Sequence, residues 1–298
     1  MKSLIRELKI SIFSPYFLLS IIMMVLLCIV SPMPNSYNIG DPSIIQCILN
    51  KDIIWLKSSI ANSSYEVFKC YDNFEWFPII MPIISGFAPI YYINSENESK
   101  LSRFVLIRSN KNEYIICKMV SSGLTGGFTV ILGILLYGII VYLNFPNLNQ
   151  YYTINLDLAL EDIKMYSIFP NQLEFKYRIS FLCIKLLFTF STAFLTAIII
   201  YLFLIIIKNK FLTITLPVII NYLLLNIIAK LTIIHIDNEK VYYWLYFFCP
   251  CWHYNMYYAF PALYKSSYLW YIPIFFCYIA IIFICIKNIL DRRTDFCE

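Results

Sequence analysis

Charge is scarce in this chain. Only 14% of its 298 residues are Asp, Glu, Lys or Arg, 60% are hydrophobic, and the mean hydropathy is +0.70. Soluble domains carry about a quarter charged residues, so one large soluble domain, or two medium ones, would lack the surface charge to stay in water. The chain reads as an integral membrane protein. Glycine is rare too, and none of the seven (40, 86, 123, 126, 127, 133, 138) is followed by Lys. That excludes a G-x-x-x-x-G-K-[ST] phosphate loop, and with it ATP binding of that kind by this chain. H-E-x-x-H and G-x-S-x-G are also missing, which removes two common hydrolase motifs.

What the sequence has in abundance is long apolar runs. A helix needs about 20 mostly apolar residues to cross ~30 Å of hydrocarbon, and six runs of that kind are predicted as spans, at about 15 to 31, 77 to 94, 119 to 143, 179 to 207, 211 to 236 and 268 to 286. The segments 1 to 14, 95 to 118, 208 to 210 and 287 to 298 hold 13 Lys and Arg in 53 positions, whereas 32 to 76, 144 to 178 and 237 to 267 hold 8 in 111. Positive charge is retained in the cytoplasm, so the first set, with both termini, is expected inside and the second set forms the outside loops. The net charge of +5 is thus a topology signal, and no nucleic-acid partner is expected. The predicted fold is all-α and polytopic, one transmembrane domain over 1 to 298. All 18 acidic residues lie outside the six spans, which argues against a proton- or ion-coupled carrier, since such carriers place a carboxylate at membrane depth.

Lys2, Arg6 and Lys9 precede the first apolar run, yet no small-x-small cleavage site follows it, and Pro32 and Pro34 suit a helix leaving the membrane. An uncleaved anchor is expected. Within 1 to 14, Leu4, Ile5, Leu8 and Ile12 fall on one helical stripe, the pattern of a helix lying in the membrane interface before the chain turns at Ser14-Pro15. In the first outside loop Cys47 and Cys70 stand where a disulfide can form, a pairing that sequence leaves open. The second outside loop carries a short amphipathic stretch around Leu156 to Tyr166. The third contains 241 to 264, uncharged and crowded with Tyr, Trp and Phe, which fits either an interfacial loop or a hairpin dipping into the outer leaflet.

The polar side chains inside the spans that could carry chemistry are Lys185 in the fourth, and Asn221, Asn226, Lys230 and His235 in the fifth. Lys185 and Lys230 lie toward the outer ends, where an ammonium can snorkel to the interface. Asn226 and Lys230, four apart, share a face; with Asn221 they are candidates to line a polar pathway, the alternative being hydrogen bonding between helices. Cys249, Cys251 and His253 lack the C-x-x-C spacing and second ligand pair of structural metal sites, so no metal is assigned.

The cytoplasmic segment 94 to 118 is the most informative. Leu101, Phe104, Val105 and Arg108 recur at helical spacing, too briefly and with too much charge to span. Asn110 followed by Glu113 suggests a capping box opening a new helix, on which Tyr114 and Lys118 share a face. A short amphipathic helix between two spans suits docking into a groove on a partner.

These residues resemble the permease subunits of ABC-2-type ABC transporters, most of which are exporters. Arg6-Glu7-Leu8-Lys9 with Ser14-Pro15 is similar to the family's connecting helix and its turn into the first span. Glu96 or Glu98, Leu101 to Ile107, Arg108-Ser109 and the pair Tyr114 and Lys118 are similar to its coupling-helix segment. Ile289 to Asp295 with Arg292-Arg293 resembles its basic tail. The family often has a Gly between the acidic residue and the apolar stretch; residues 95 to 118 contain none. The resemblance implies a coupling helix between spans 2 and 3, a second permease copy or paralogue, and separate ATPase subunits that bind ATP and Mg, leaving this chain without cofactor or catalytic residue. It implies ATPase contacts at Glu98, Leu101, Phe104, Val105 and Arg108. Abundant Ile, Asn, Lys, Tyr and Phe point to an AT-rich genome and a bacterial plasma membrane. The competing expectations are a membrane enzyme with an outer-side pocket around Cys251 and His253, and a non-transporting scaffold or immunity protein.

Overall fold

The computed structural model describes residues 2–33, 43–50, 63–72, 77–98, 111–146, 175–207, 210–234 and 271–294. Among these, regular structure is helical: α1 Lys2–Ile12, α2 Pro15–Val30, α3 Ile44–Asn50, α4 Ser64–Lys69, α5 Phe77–Glu98, α6 Lys111–Asn144, α7 Phe175–Ile206, α8 Lys210–Ile234 and α9 Tyr271–Thr294. The one departure is an isolated antiparallel bridge between Pro32 and Ser43. Among the described residues, α5, α6 and α7 are long and apolar enough to cross a bilayer, and the bent pair of α1 and α2 makes a fourth candidate. This is the build of a helical membrane protein. The bend, 60°, falls at the predicted Ser14-Pro15 turn. Ser14 makes it: its hydroxyl donates to the Ser11 carbonyl at 2.7 Å and accepts from the Phe17 amide at 3.2 Å, capping α2 while Pro15 takes the first helical position, where its missing N–H costs nothing.

The chain divides into two compact units, one formed by 1–22, 78–131 and 188–298, the other by 23–77 and 132–187. The first holds an apolar core drawn from α5, α6, α7 and α9, including Ile90, Ile115, Met119, Ile198, Tyr201 and Ile286. Close helix approach is its second feature. A methyl group placed on Gly126 would lie 2.5 Å from both the Ala197 Cβ and the Ser85 carbonyl oxygen, and one on Gly123 or Gly127 would strike the rings of Phe194 or Phe190. Gly123 and Gly127 are a G-x-x-x-G pair, the spacing that lets two helices in a membrane pack backbone to backbone. The Ser85 carbonyl is the one that Pro89, lacking an N–H, leaves without its helical donor, and Gly126 makes room for it. Replacing Gly126 by Val is therefore expected to destabilise the fold by about 1 to 3 kcal/mol, the usual cost of overpacking, seen as earlier heat-induced aggregation in detergent. Leu136→Ala, at an exposed position of α6, serves as the comparison; equal losses in both would remove close packing as the cause.

Asn221 reaches the same kind of site. Pro82 deprives the Pro78 carbonyl of its helical donor, and the Asn221 amide, from α8, stands 3.5 Å from that oxygen. A polar residue predicted as a pathway candidate thus answers a proline-freed carbonyl. Asn226 is exposed and donates to the Tyr222 carbonyl of its own helix at 2.8 Å, and Lys230 is also exposed.

In the second unit the predicted outside loop holds a structured insertion. Ser64, Tyr65, Val67 and Phe68 of α4 are buried. Ser63 caps the helix by accepting from the Glu66 amide, the Ser64 amide donates to the Pro146 carbonyl at 3.0 Å, and the Tyr137 hydroxyl donates to the Val67 carbonyl at 3.2 Å. Phe68 packs where Gly138 offers no side chain. Cys47 and Cys70 carry separate thiols with no bridge between them. Burial raises the pKa of both, that of Cys70 to about 11 with Lys185 the largest opposing influence, so both are protonated at neutral pH and poorly nucleophilic.

Candidate functional site

The N-terminal helix turns a mixed face inward. Leu4, Glu7 and Leu8 are half-buried and Ser11 is fully buried, while Ile5 and Ile12 point outward. The inward face therefore includes an acid, and the reason is a partner: Glu7 Oε2 lies 2.5 Å from the Lys118 ammonium near the start of α6. Lys118 also pairs with Glu96 at the end of α5 and donates to the Tyr92 hydroxyl at 3.1 Å. An ammonium has three hydrogens, and here each has an acceptor. The Tyr92 hydroxyl lies against both carboxylates, 2.6 Å from Glu96 Oε1 and in hydrogen-bond contact with Glu7 Oε2.

Local helix geometry assembles this cluster from two i, i+4 pairs, Tyr92 with Glu96 on α5 and Tyr114 with Lys118 on α6, each pair on one face. The Lys118 nitrogen stands 4.5 Å from the Tyr92 ring centre and 5.8 Å from that of Tyr114, placing aromatic faces beside the cation. The side chain of Lys118 is 2% exposed, those of Glu7 and Glu96 12% and 16%. One buried cation thus joins two carboxylates from separate helices. Its effect is mechanical: Glu96 and Lys118 flank residues 99–110, and both are tied to α1 through Glu7.

Three segments singled out in the sequence, Arg6 to Lys9, Glu96, and Tyr114 with Lys118, are brought together here. Of the predicted ATPase contacts, Leu101, Phe104, Val105 and Arg108 lie outside the described residues; Glu98 closes α5, and its side chain is not described. His235, Cys249, Cys251, His253, the stretch around Leu156 to Tyr166 and the aromatic stretch 241–264 also lie outside them. Helix α6 begins at Lys111, one residue after the predicted cap Asn110.

Lys185 departs from expectation. Rather than snorkelling, its side chain is 2% exposed and pairs with Asp72, 3% exposed, at 2.5 Å, while donating to the Lys69 carbonyl at 2.5 Å with the Tyr71 ring 4.6 Å away. The end of α4 supplies a carbonyl and the residues after it an acid, which makes burial cheaper than reaching for water. Nothing in the local sequence marks Asp72 as that partner; an ammonium within an apolar run is the signal that one must exist. Among the described residues no group of three His, Cys, Asp or Glu stands ready to hold a metal.

No protein-family model, curated protein or solved structure matches the chain.

Proposed function

We propose that this chain is the membrane-spanning subunit of an ATP-driven exporter of the ABC-2 type. In this reading it crosses the plasma membrane of a bacterium six times, with both termini in the cytoplasm. A second copy or a paralogue completes the pathway, and separate ATPase subunits carry ATP and Mg. The observation that supports it is the Lys118 cluster. A segment that receives a push from a partner must be anchored to what it moves; Glu96, three residues before 99, and Lys118, eight after 110, are bound to α1 and to each other. Closure of the ATPases against Leu101, Phe104, Val105, Arg108 and Glu98 would then tilt α5, α6 and α1 as one body. Apolar side chains would fill the groove on the ATPase and the charges would set register.

Affinity purification from native membranes in mild detergent tests this reading. A protein carrying the phosphate-loop motif is expected to co-purify in stoichiometric amount, and Phe104→Asp is expected to abolish its recovery without lowering membrane insertion. Co-purification unchanged by Phe104→Asp would overturn the assigned contact; absence of any such ATPase across several detergents would overturn the function.

A further inference from the structure

Helix α1 has a second face, and its chemistry differs from the one that holds Glu7. Outward from it stand Arg6 and Lys9, both exposed, with Ile5 at 57% and Phe13, just past the helix end, at 81% exposure. Glu7 is the sole acid of α1, and it is committed to Lys118. The outward charge is therefore entirely basic. The 60° bend sets α1 across the direction of α2, whose own surface exposes Leu18, Leu19, Ile22 and Leu26 as acyl chains require. Basic side chains beside exposed apolar ones on an amphipathic helix are what an anionic bilayer surface selects.

We infer that the outward face of α1 binds anionic phospholipid, with Arg6 and Lys9 on the headgroup phosphates and Ile5 and Phe13 in the upper acyl region. Arg6 supplies a planar fork matched to phosphate oxygens, and Lys9 a point charge one helical turn away. This site does not depend on the transport reading, since it requires only the chain and lipid.

The test uses the full-length chain, delipidated in neutral detergent and titrated with a phosphatidylglycerol or a phosphatidylcholine of identical acyl chains, with bound lipids counted by native mass spectrometry. The wild type is expected to prefer phosphatidylglycerol about tenfold, and the preference should shrink as salt rises. Arg6→Gln with Lys9→Gln should bring it within about twofold of unity. The charge-conserving swap Arg6→Lys with Lys9→Arg should keep it, as should Lys287→Gln, which removes an exposed charge from α9. No preference in the wild type, or a preference surviving Arg6→Gln with Lys9→Gln, overturns the inference. If that double variant instead loses a co-purifying protein while lipid selectivity stays intact, the face belongs to a protein partner and the inference fails.

Discussion

Lys118→Met is expected to destabilise the folded chain by about 3 to 5 kcal/mol, the range for removing one member of a buried ion pair. Methionine fills much of the same volume, so packing changes little, and the loss comes from Glu7 and Glu96, which both lose the Lys118 ammonium beside Tyr92. Thermal aggregation in detergent, read by size exclusion after a temperature series, measures it. The informative comparison is the triple variant Lys118→Met, Glu7→Gln, Glu96→Gln, in which no uncompensated charge remains. Replacing a whole buried ion cluster by neutral groups is often close to harmless, so most of the lost stability should return. A triple variant no better than the single one would show that uncompensated charge is not the cause.

An effect of the same order is expected for Asp72→Ala, about 3 to 5 kcal/mol, because the Lys185 ammonium would then lose its carboxylate in a site with almost no access to water. Asp72→Asn retains shape and one acceptor and should cost less. A second readout separates local from global loss. The residues of α4 are held on Tyr137, Gly138 and Pro146, so freeing them should speed maleimide labelling of Cys70 and Cys47, located by peptide mass spectrometry, while Cys117, half-buried on α6 outside the predicted spans, labels at an unchanged rate. Labelling of Cys70 as slow in Asp72→Ala as in the wild type would mean that the ion pair does not hold this segment.

Legibility in the sequence followed the range of the interaction. The Ser14-Pro15 turn is local, as are the helix starts near 15, 77 and 210, set by proline and by flanking polar residues, and these fell within a few residues of expectation. The apolar lengths of α5, α6 and α7 are properties of single segments and were equally visible. The apolar stripe of α1 was legible as periodicity, but its inward face was not, because Glu7 is held by a cation 111 residues away. For the same reason Lys185 was expected at the interface: its acid lies 113 residues distant, in a loop whose Asn- and Ser-rich composition advertises nothing. At the lysine cluster, the pairs Tyr92 with Glu96 and Tyr114 with Lys118 were legible as shared helix faces, but not that the faces meet. The G-x-x-x-G spacing at 123 and 127 was available as a sign of close helix contact, and the structure gives it an occupant in the rings of α7.

Helix α5 carries two internal prolines, and each leaves a carbonyl that faces a different neighbour: that of Pro78 the Asn221 amide of α8, that of Ser85 the bare face of Gly126 in α6. The two carbonyls fix the helix in azimuth as two pins fix a shaft. Turning α5 about its own axis would draw one oxygen away from its amide donor in hydrocarbon and drive the other into a packed backbone. Rotation of α5 is thus opposed from two sides, by α8 at one proline and by α6 at the other.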